Sequence, residues 1–201
     1  LARNSAELLA YLSELPEKFS KPFLIDSFLA EAKEIDIDLI SNGSKTTSFI
    51  LEQIEPAGVH SGDSHCVFPA QSLTKKQVNE LQAITESIAK KFQIKGFGNI
   101  QCAIKDGEIF VLEVNSRASR TVPFLCKALQ KSLVPMAVEA IIKGNFVNKK
   151  IKSLKKVYIK KPVFSLEKMI GVSKTLGPVM KSTGEKMVSG KTFEEAYQKL
   201  I

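Results

Sequence analysis

Gln101, Glu113 and Asn115 are the residues whose types and spacing could do chemistry. They lie in a stretch, Asn99 to Asn115, that reads as two apolar-alternating strands joined by a tight turn at Asp106-Gly107. A three-residue loop of Asp106, Gly107 and Glu108 sets Lys105 opposite Ile109. Ile104 then opposes Phe110, Cys102 opposes Leu112 and Ile100 opposes Val114, which makes one face apolar throughout. On the other face Gln101 stands opposite Glu113, with Asn115 two residues further on. A two-residue loop would carry Gln101 to the face away from Glu113. One carboxylate and two amides on a rigid surface suit a hard divalent cation such as Mg2+, which keeps few protein carboxylates and completes its shell with phosphates and water. An ordinary half-buried hairpin with a polar outer face has the same pattern, and the residue types alone leave both readings open.

The elements that must position this hairpin can be read on either side of it. Asn4 and Glu7 form a capping box for a short helix to about Leu15, with Leu8, Leu9 and Leu12 as its apolar stripe. Pro22 to Phe28 reads as a strand or hinge. Residues 34–40 alternate acid and apolar side chains at period two, which predicts a strand with a carboxylate face of Glu34, Asp36 and Asp38. Asn42-Gly43 turns the chain into a second strand, Thr46 to Ile54, and Pro56 to Ser64 is a loop of small residues. Thr74 and Gln77 cap an amphipathic helix carrying Val78, Leu81, Ile84 and Ile88, after which Gly96 and Gly98 lead into the hairpin. Two helices follow, Val122 to Gln130 and Pro135 to Lys143, the second with proline at its start and Gly144 as its stop. A strand at Val157 to Pro162, a Gly/Pro/Ser-punctuated segment through Gly190 and a helix capped by Thr192 and Glu195 complete the chain. Helices mixed with hairpins predict an α+β fold.

Composition narrows the function classes. The chain has 201 residues, 44% hydrophobic and 25% charged, enough for one substantial core. It contains no apolar run of the roughly 20 residues that span a membrane and no signal-peptide core, so the expectation is a cytoplasmic protein without membrane contact. Cys66, Cys102 and Cys126 are odd in number and scattered, which reads as buried thiols in a reducing compartment. The net charge of +8 draws heavily on Lys149, Lys150, Lys152, Lys155, Lys156, Lys160 and Lys161. Without an interleaved aromatic set, this run reads as a solvated connector and not as a nucleic-acid surface.

At Glu113-Val114-Asn115-Ser116-Arg117-Ala118-Ser119-Arg120-Thr121-Val122-Pro123-Phe124 the chain resembles the large chain of carbamoyl-phosphate synthetase, which is built from two ATP-grasp units. Ile54-Glu55-Pro56-Ala57-Gly58-Val59-His60-Ser61-Gly62-Asp63-Ser64 and Leu176-Gly177-Pro178-Val179-Met180-Lys181-Ser182-Thr183-Gly184-Glu185 match two further family segments in order. Their wording is similar to the C-terminal, carbamate-phosphorylating half. The resemblance implies a partial ATP-grasp domain over 1–146 and a C-terminal extension of the synthetase unit over 147–201. It implies Gln101, Glu113 and Asn115 as ligands of Mg2+ or Mn2+ on the ATP phosphates. Glu34 would hold the ribose, Ser27 and Leu29 would meet the adenine, and Gly58, Val59, His60 and Ser61 would pass close to the nucleotide. Arg117 and Arg120 would hold carbamate and stabilise the transferred phosphoryl group.

The implied activity is that of an ATP-dependent ligase making carbamoyl phosphate for arginine or pyrimidine biosynthesis, with the rest of the large chain and a glutamine amidotransferase small chain as partners. Ser116 departs from the proline usual in the family, which frees the strand exit without removing a ligand. The family's unit begins upstream of Leu1, with a glycine-containing phosphate loop, so activity is expected only within a longer chain. The competing reading is an inactive piece that keeps a nucleotide-binding or interaction role. Another ATP-grasp ligase, such as a carboxylase, would share the Glu-x-Asn ligands but not the two flanking segments.

Overall fold

The computed structural model describes residues 2–15, 22, 24–144, 154–165 and 175–200. Lys149, Lys150 and Lys152 of the expected connector lie outside the described residues. The chain divides into two compact units, Leu1–Ala30 and Glu31–Ile201.

In the first unit, helix α1 (Ser5–Ser13) starts where its capping box predicts, although the Glu7 side chain accepts from the Arg3 amide and not from that of Asn4. The Glu7 amide donates to Asn4 Oδ1 at 2.9 Å and the Arg3 amide donates to Glu7 Oε2 at 2.8 Å. None of its residues is buried, so the leucine stripe stays partly open. Of the strand or hinge expected over Pro22 to Phe28, the described residues 24–28 form no strand. Residues 24–29 have no regular structure, and Leu24, Ile25 and Phe28 are all exposed.

The second unit is built on a seven-stranded sheet made of β1 (Lys33–Asn42), β2 (Thr46–Gln53), β3 (Cys66–Phe68), β4 (Lys95–Lys105), β5 (Glu108–Asn115), β6 (Val157–Val163) and β7 (Gly184–Gly190). Their order is β5-β4-β1-β2-β3-β6-β7 and every neighbouring pair is antiparallel. The helices are α2 (Lys75–Lys91), α3 (Thr121–Ala128), α4 (Val134–Ile142) and α5 (Phe193–Tyr197), followed by a single 3-10 turn at Gln198–Leu200. Residue patterning alone does not separate β3 and β7 from their surroundings. The stretch expected as the C-terminal extension of the synthetase unit supplies β6 and β7 to this same sheet, with β6 paired to β3.

The alternation of β1 sets both faces. Ile35, Ile37 and Leu39 pack with Ile100, Cys102 and Ile104 against Leu81 and Ala89 of α2. The opposite face carries Glu34, Asp36 and Asp38, then Ile40. From Ile40 onward that face is apolar, with Phe49, Leu51, Cys66 and Phe68 beneath Phe124, Leu125 and Ala128 of α3 and Ala137 and Ala140 of α4. Gly96 lets α4 approach, because a Cβ there would meet Ile141 Cδ1 at 2.7 Å, and its φ of +88° also favours glycine.

The diagnostic hairpin is confirmed, with one correction. Its loop has two residues, since Lys105 pairs with Glu108 around Asp106 (φ 52°) and Gly107 (φ 85°). Two positive φ values are what a type I′ turn needs, and its twist matches the strands. The register near the turn is therefore one residue short of the expected one. A β-bulge between Gln101 and Cys102 absorbs the difference: Cys102 faces Val111, Leu112 is the extra residue at 50% exposure, and Gln101 still faces Glu113.

Candidate nucleotide and metal site

The registers of β1, β4 and β5 lay a polar tract across one face of the sheet. Asp36 stands beside Gln101 and Gln101 beside Glu113, while Asp38 stands beside Asn99 and Asn99 beside Asn115. A cavity of about 190 Å³ opens over this tract. Gln101, Glu113 and Asn115 line it together with His60 and Ser61 from the loop before β3 and with Arg117 and Arg120 from the turn before α3. Seven residues expected from separate sequence segments thus meet in one place. One carboxylate flanked by two amides, at the exposed side of the cavity, fits a hard cation shared with phosphate. Among the described residues no group of three or more His, Cys, Asp or Glu is placed to hold a metal ion.

Three of the remaining expected residues stay outside the cavity lining. Glu34 is 8% exposed and meets the backbone N–H of Gly58, but neither residue nor Val59 lines the cavity. Ser27 and Leu29 belong to the first unit, where Ser27 is exposed and Leu29 half-buried.

The site also contains residues that sequence reasoning misses. Lys160, expected in the solvated connector, is instead 1% exposed in the cavity wall, its Nζ donating to the Ser61 carbonyl at 2.8 Å. The correction follows from strand geometry: β6 turns Lys160 inward and leaves Lys161 half-buried, with its ammonium on the Leu200 carbonyl. Lys155 and Lys156 are exposed, as the connector reading expects. Glu185, which carries no role in the matched family segment, reaches the same wall. Its buried Oε1 has no hydrogen-bond partner among the described residues, and Arg120 Nε stands 3.7 Å away.

A buried network holds the functional side chains in place. Asp38 accepts from Ser119 Oγ, from Thr121 Oγ1 and, at 3.1 Å, from Asn99 Nδ2, which ties the arginine-bearing turn to the hairpin. Gln101 Nε2 donates to Ser61 Oγ at 3.3 Å. His60 Nδ1 accepts the Gly62 amide at 3.0 Å, so a neutral ring carries its proton on Nε2 and presents a donor. The neighbouring Asp63 is fully buried and accepts from the amides of Lys181 and Ser182.

Burial also sets the electrostatics. The Asp36 carboxyl is pushed up to about 6 by burial and then by Asp38, with the amide of Asn99 and the charge of Lys160 acting against the rise. Burial and Asp36 push Glu34 up to about 7. Cys102 is pushed up to about 12 and Cys66 is pushed well above the ordinary thiol value, chiefly by burial, so neither thiol supplies a nucleophile near neutrality. For Glu34 the folded value lies above the unfolded 4.5. Its contribution to stability is therefore complete below pH 4.5 and is lost as pH rises through about 7. Glu34→Gln is expected to raise Tm at pH 8 and to leave it nearly unchanged at pH 4.5. Thermal denaturation at the two pH values checks this, and a variant less stable at pH 8 than the parent contradicts it.

The sheet with its helix-covered faces defines an ATP-grasp fold. It superposes on N5-carboxyaminoimidazole ribonucleotide synthetase from Thermus thermophilus with a TM-score of 0.73 at 12% identity, covering 98% of this chain and 56% of that one. The biotin carboxylase domain of a single-chain bacterial carboxylase gives 0.64 at 13% identity, over 94% of this chain and 48% of that one. Within that fold the chain belongs to the family described as "Carbamoyl-phosphate synthase L chain, ATP binding domain", whose model matches residues 1–144. It is 41% identical over 207 residues to the carbamoyl phosphate synthase large chain of Thermoanaerobacter sp. (strain X514), and 44% identical over 184 residues to that of Archaeoglobus fulgidus. These alignments take in 97% and 89% of this chain but only 19% and 17% of the relatives. The chain thus spans about a fifth of the length of such large chains, and it is related to an ATP-grasp ligase. Among the described residues no helix is long and apolar enough to cross a membrane.

Proposed function

We propose that this chain is the part of a carbamoyl-phosphate-forming ligase that binds Mg-ATP and phosphorylates carbamate, working within a longer large chain and fed by an amidotransferase small chain. The wording of its three family segments supports the carbamate-phosphorylating half. The observation that carries the reading is the convergence of Gln101, Glu113, Asn115, His60, Ser61, Arg117 and Arg120 on one cavity.

The roles follow from phosphoryl transfer, in which the protein has little covalent chemistry to do and acts by positioning and by neutralising charge. Gln101, Glu113 and Asn115 would hold Mg2+ or Mn2+, which when bound neutralises phosphate charge. The His60 Nε2–H donates to ribose or phosphate, and Ser61 lies beside it. Arg117 and Arg120 hold the carbamate anion and meet the charge that develops on the transferred group. Glu34 and Gly58, whose backbone N–H acts against the rise of the Glu34 carboxyl, bind the ribose side, while Val59, Ser27 and Leu29 meet the nucleoside. No side chain acts as a nucleophile, in keeping with the high-pKa thiols. Residues 1–146 and 147–201 then describe two stretches of one synthetase unit in a cytoplasmic enzyme.

Titration calorimetry with Mg-ATP tests the assignment. Binding is expected, and Glu113→Gln is expected to weaken it on the order of 10–100-fold. A variant of unchanged affinity overturns it, whereas a folded parent chain that does not bind alone makes the rest of the large chain indispensable to binding.

A further inference from the structure

Asp63 is the one acid of the Gly58–Ser64 loop, and it is fully buried. Among the described residues its carboxylate meets no cation; it accepts the Lys181 amide at 3.0 and 2.8 Å and the Ser182 amide at 2.8 Å, from a segment 118 and 119 residues away. A carboxylate aimed at two successive backbone amides makes charge-assisted bonds that hold a chain in place. Two further contacts join the same pair of segments. Ser182 Oγ donates to the Gly62 carbonyl at 2.8 Å, and the His60 amide donates to the Gly177 carbonyl at 2.9 Å.

This strap touches the site on both sides. Met180 Sδ would lie 2.9 Å from a Cβ on Gly62, so the strap packs on the loop at a residue with no side chain. The same sulfur accepts from the Arg120 guanidinium. Residues 175–182 therefore sit between the loop that carries His60 and Ser61 and the arginine assigned to the reacting group.

We propose that Asp63 is a positioning residue that couples docking of this strap to occupancy of the nucleotide site, a step that rests on the assignment of His60 and Ser61 to the nucleotide. With the strap docked, Gly177 fixes the His60 backbone and Gly62 fixes the His60 ring, so the Nε2 donor is already aimed. With it released, the Gly177 restraint goes and Gly62 loses its bond to Ser182, and the nucleotide must order the loop at the expense of its own affinity. Coupling of this kind is reciprocal: the factor by which docking strengthens nucleotide binding equals the factor by which nucleotide protects the docked strap.

The experiment is amide hydrogen exchange combined with calorimetry on the full-length large chain. Saturating Mg-ATP is expected to slow exchange at Lys181 and Ser182 by about tenfold, and Asp63→Asn, which keeps the shape but loses one acceptor, is expected to weaken Mg-ATP binding by about the same factor. Ser182→Ala removes only the hydroxyl bond to Gly62 and is expected to give a smaller loss of the same sign, which serves if Asp63→Asn does not fold. An Asp63→Asn chain that exchanges faster at these amides yet binds Mg-ATP like the parent overturns the coupling alone and leaves Asp63 a purely structural residue. A parent chain that does not bind Mg-ATP overturns the coupling and the nucleotide assignment together.

Discussion

Lys160→Met is expected to destabilise the second unit by about 3–5 kcal/mol, the usual cost of removing one partner from a buried set of charges. The lysine is fully enclosed and its Nζ donates to the Ser61 carbonyl. Methionine fills the space but leaves that carbonyl without its donor, and it removes the positive charge that restrains the rise of the Asp36 carboxyl. Asp36 is already pushed up to about 6 from an unfolded 3.8, so its contribution to stability is complete below pH 3.8 and is lost as pH rises through about 6. Without Lys160 the folded value rises further. The deficit of the variant is thus expected to be larger at pH 8 than at pH 5, and Asp36→Asn added to Lys160→Met is expected to recover part of it. Denaturant unfolding at both pH values measures the effect. A loss below about 1 kcal/mol that is independent of pH would show that Lys160 merely fills space.

Arg120→Met, assayed in the full-length large chain, is expected to lower carbamate phosphorylation by about 10²–10³-fold, the range typical of losing one preorganised donor to a developing oxyanion. The side chain is 45% exposed, and its approach to Glu185, at 3.7 Å, is longer than a hydrogen bond. Apart from its bond to the Met180 sulfur, a weak acceptor, its guanidinium is therefore available to an anion in the cavity and contributes little to folding, so Tm is expected to hold while turnover falls. Arg120→Lys is expected to recover only a part, since an ammonium cannot offer the planar fork. A fall of less than tenfold, or a fall matched by loss of Tm, contradicts the assignment.

Local signals were legible in the sequence. The caps at Asn4, Thr74 and Thr192 are short-range chemistry and form where their residues predict, and the turn falls at Asp106-Gly107 as expected but with two loop residues in place of three. The opposition of Gln101 and Glu113 was legible because only one parity gives β4 an apolar face. The bulge was not, because residues 109–112 are Ile-Phe-Val-Leu, a continuous apolar run in which one slipped residue leaves no mark. Lys160 and Lys161 are adjacent and identical in chemistry, so hydropathy sends both to water; only the pairing of β6 with β3 turns one of them inward. Asp63 reads as an ordinary loop acid until residues more than a hundred positions away are brought onto it.

Within the sheet, β5, β4, β1 and β2 are joined to β6 and β7 solely through β3, a strand of three residues. That makes β3 a seam. Its ladder is short, and much of what crosses it is side-chain chemistry already serving the cavity: the Lys160 bond to the Ser61 carbonyl and the Asp63 bonds to residues 181 and 182. Parting the seam would carry Lys160 and Glu185 out of the cavity wall and leave Gln101 facing Glu113 undisturbed. The stitches that keep the two halves of the sheet together are the same bonds that shape the walls of the site. A chain that loses its grip on the far strands therefore keeps its ligand-bearing hairpin but loses the enclosure around it.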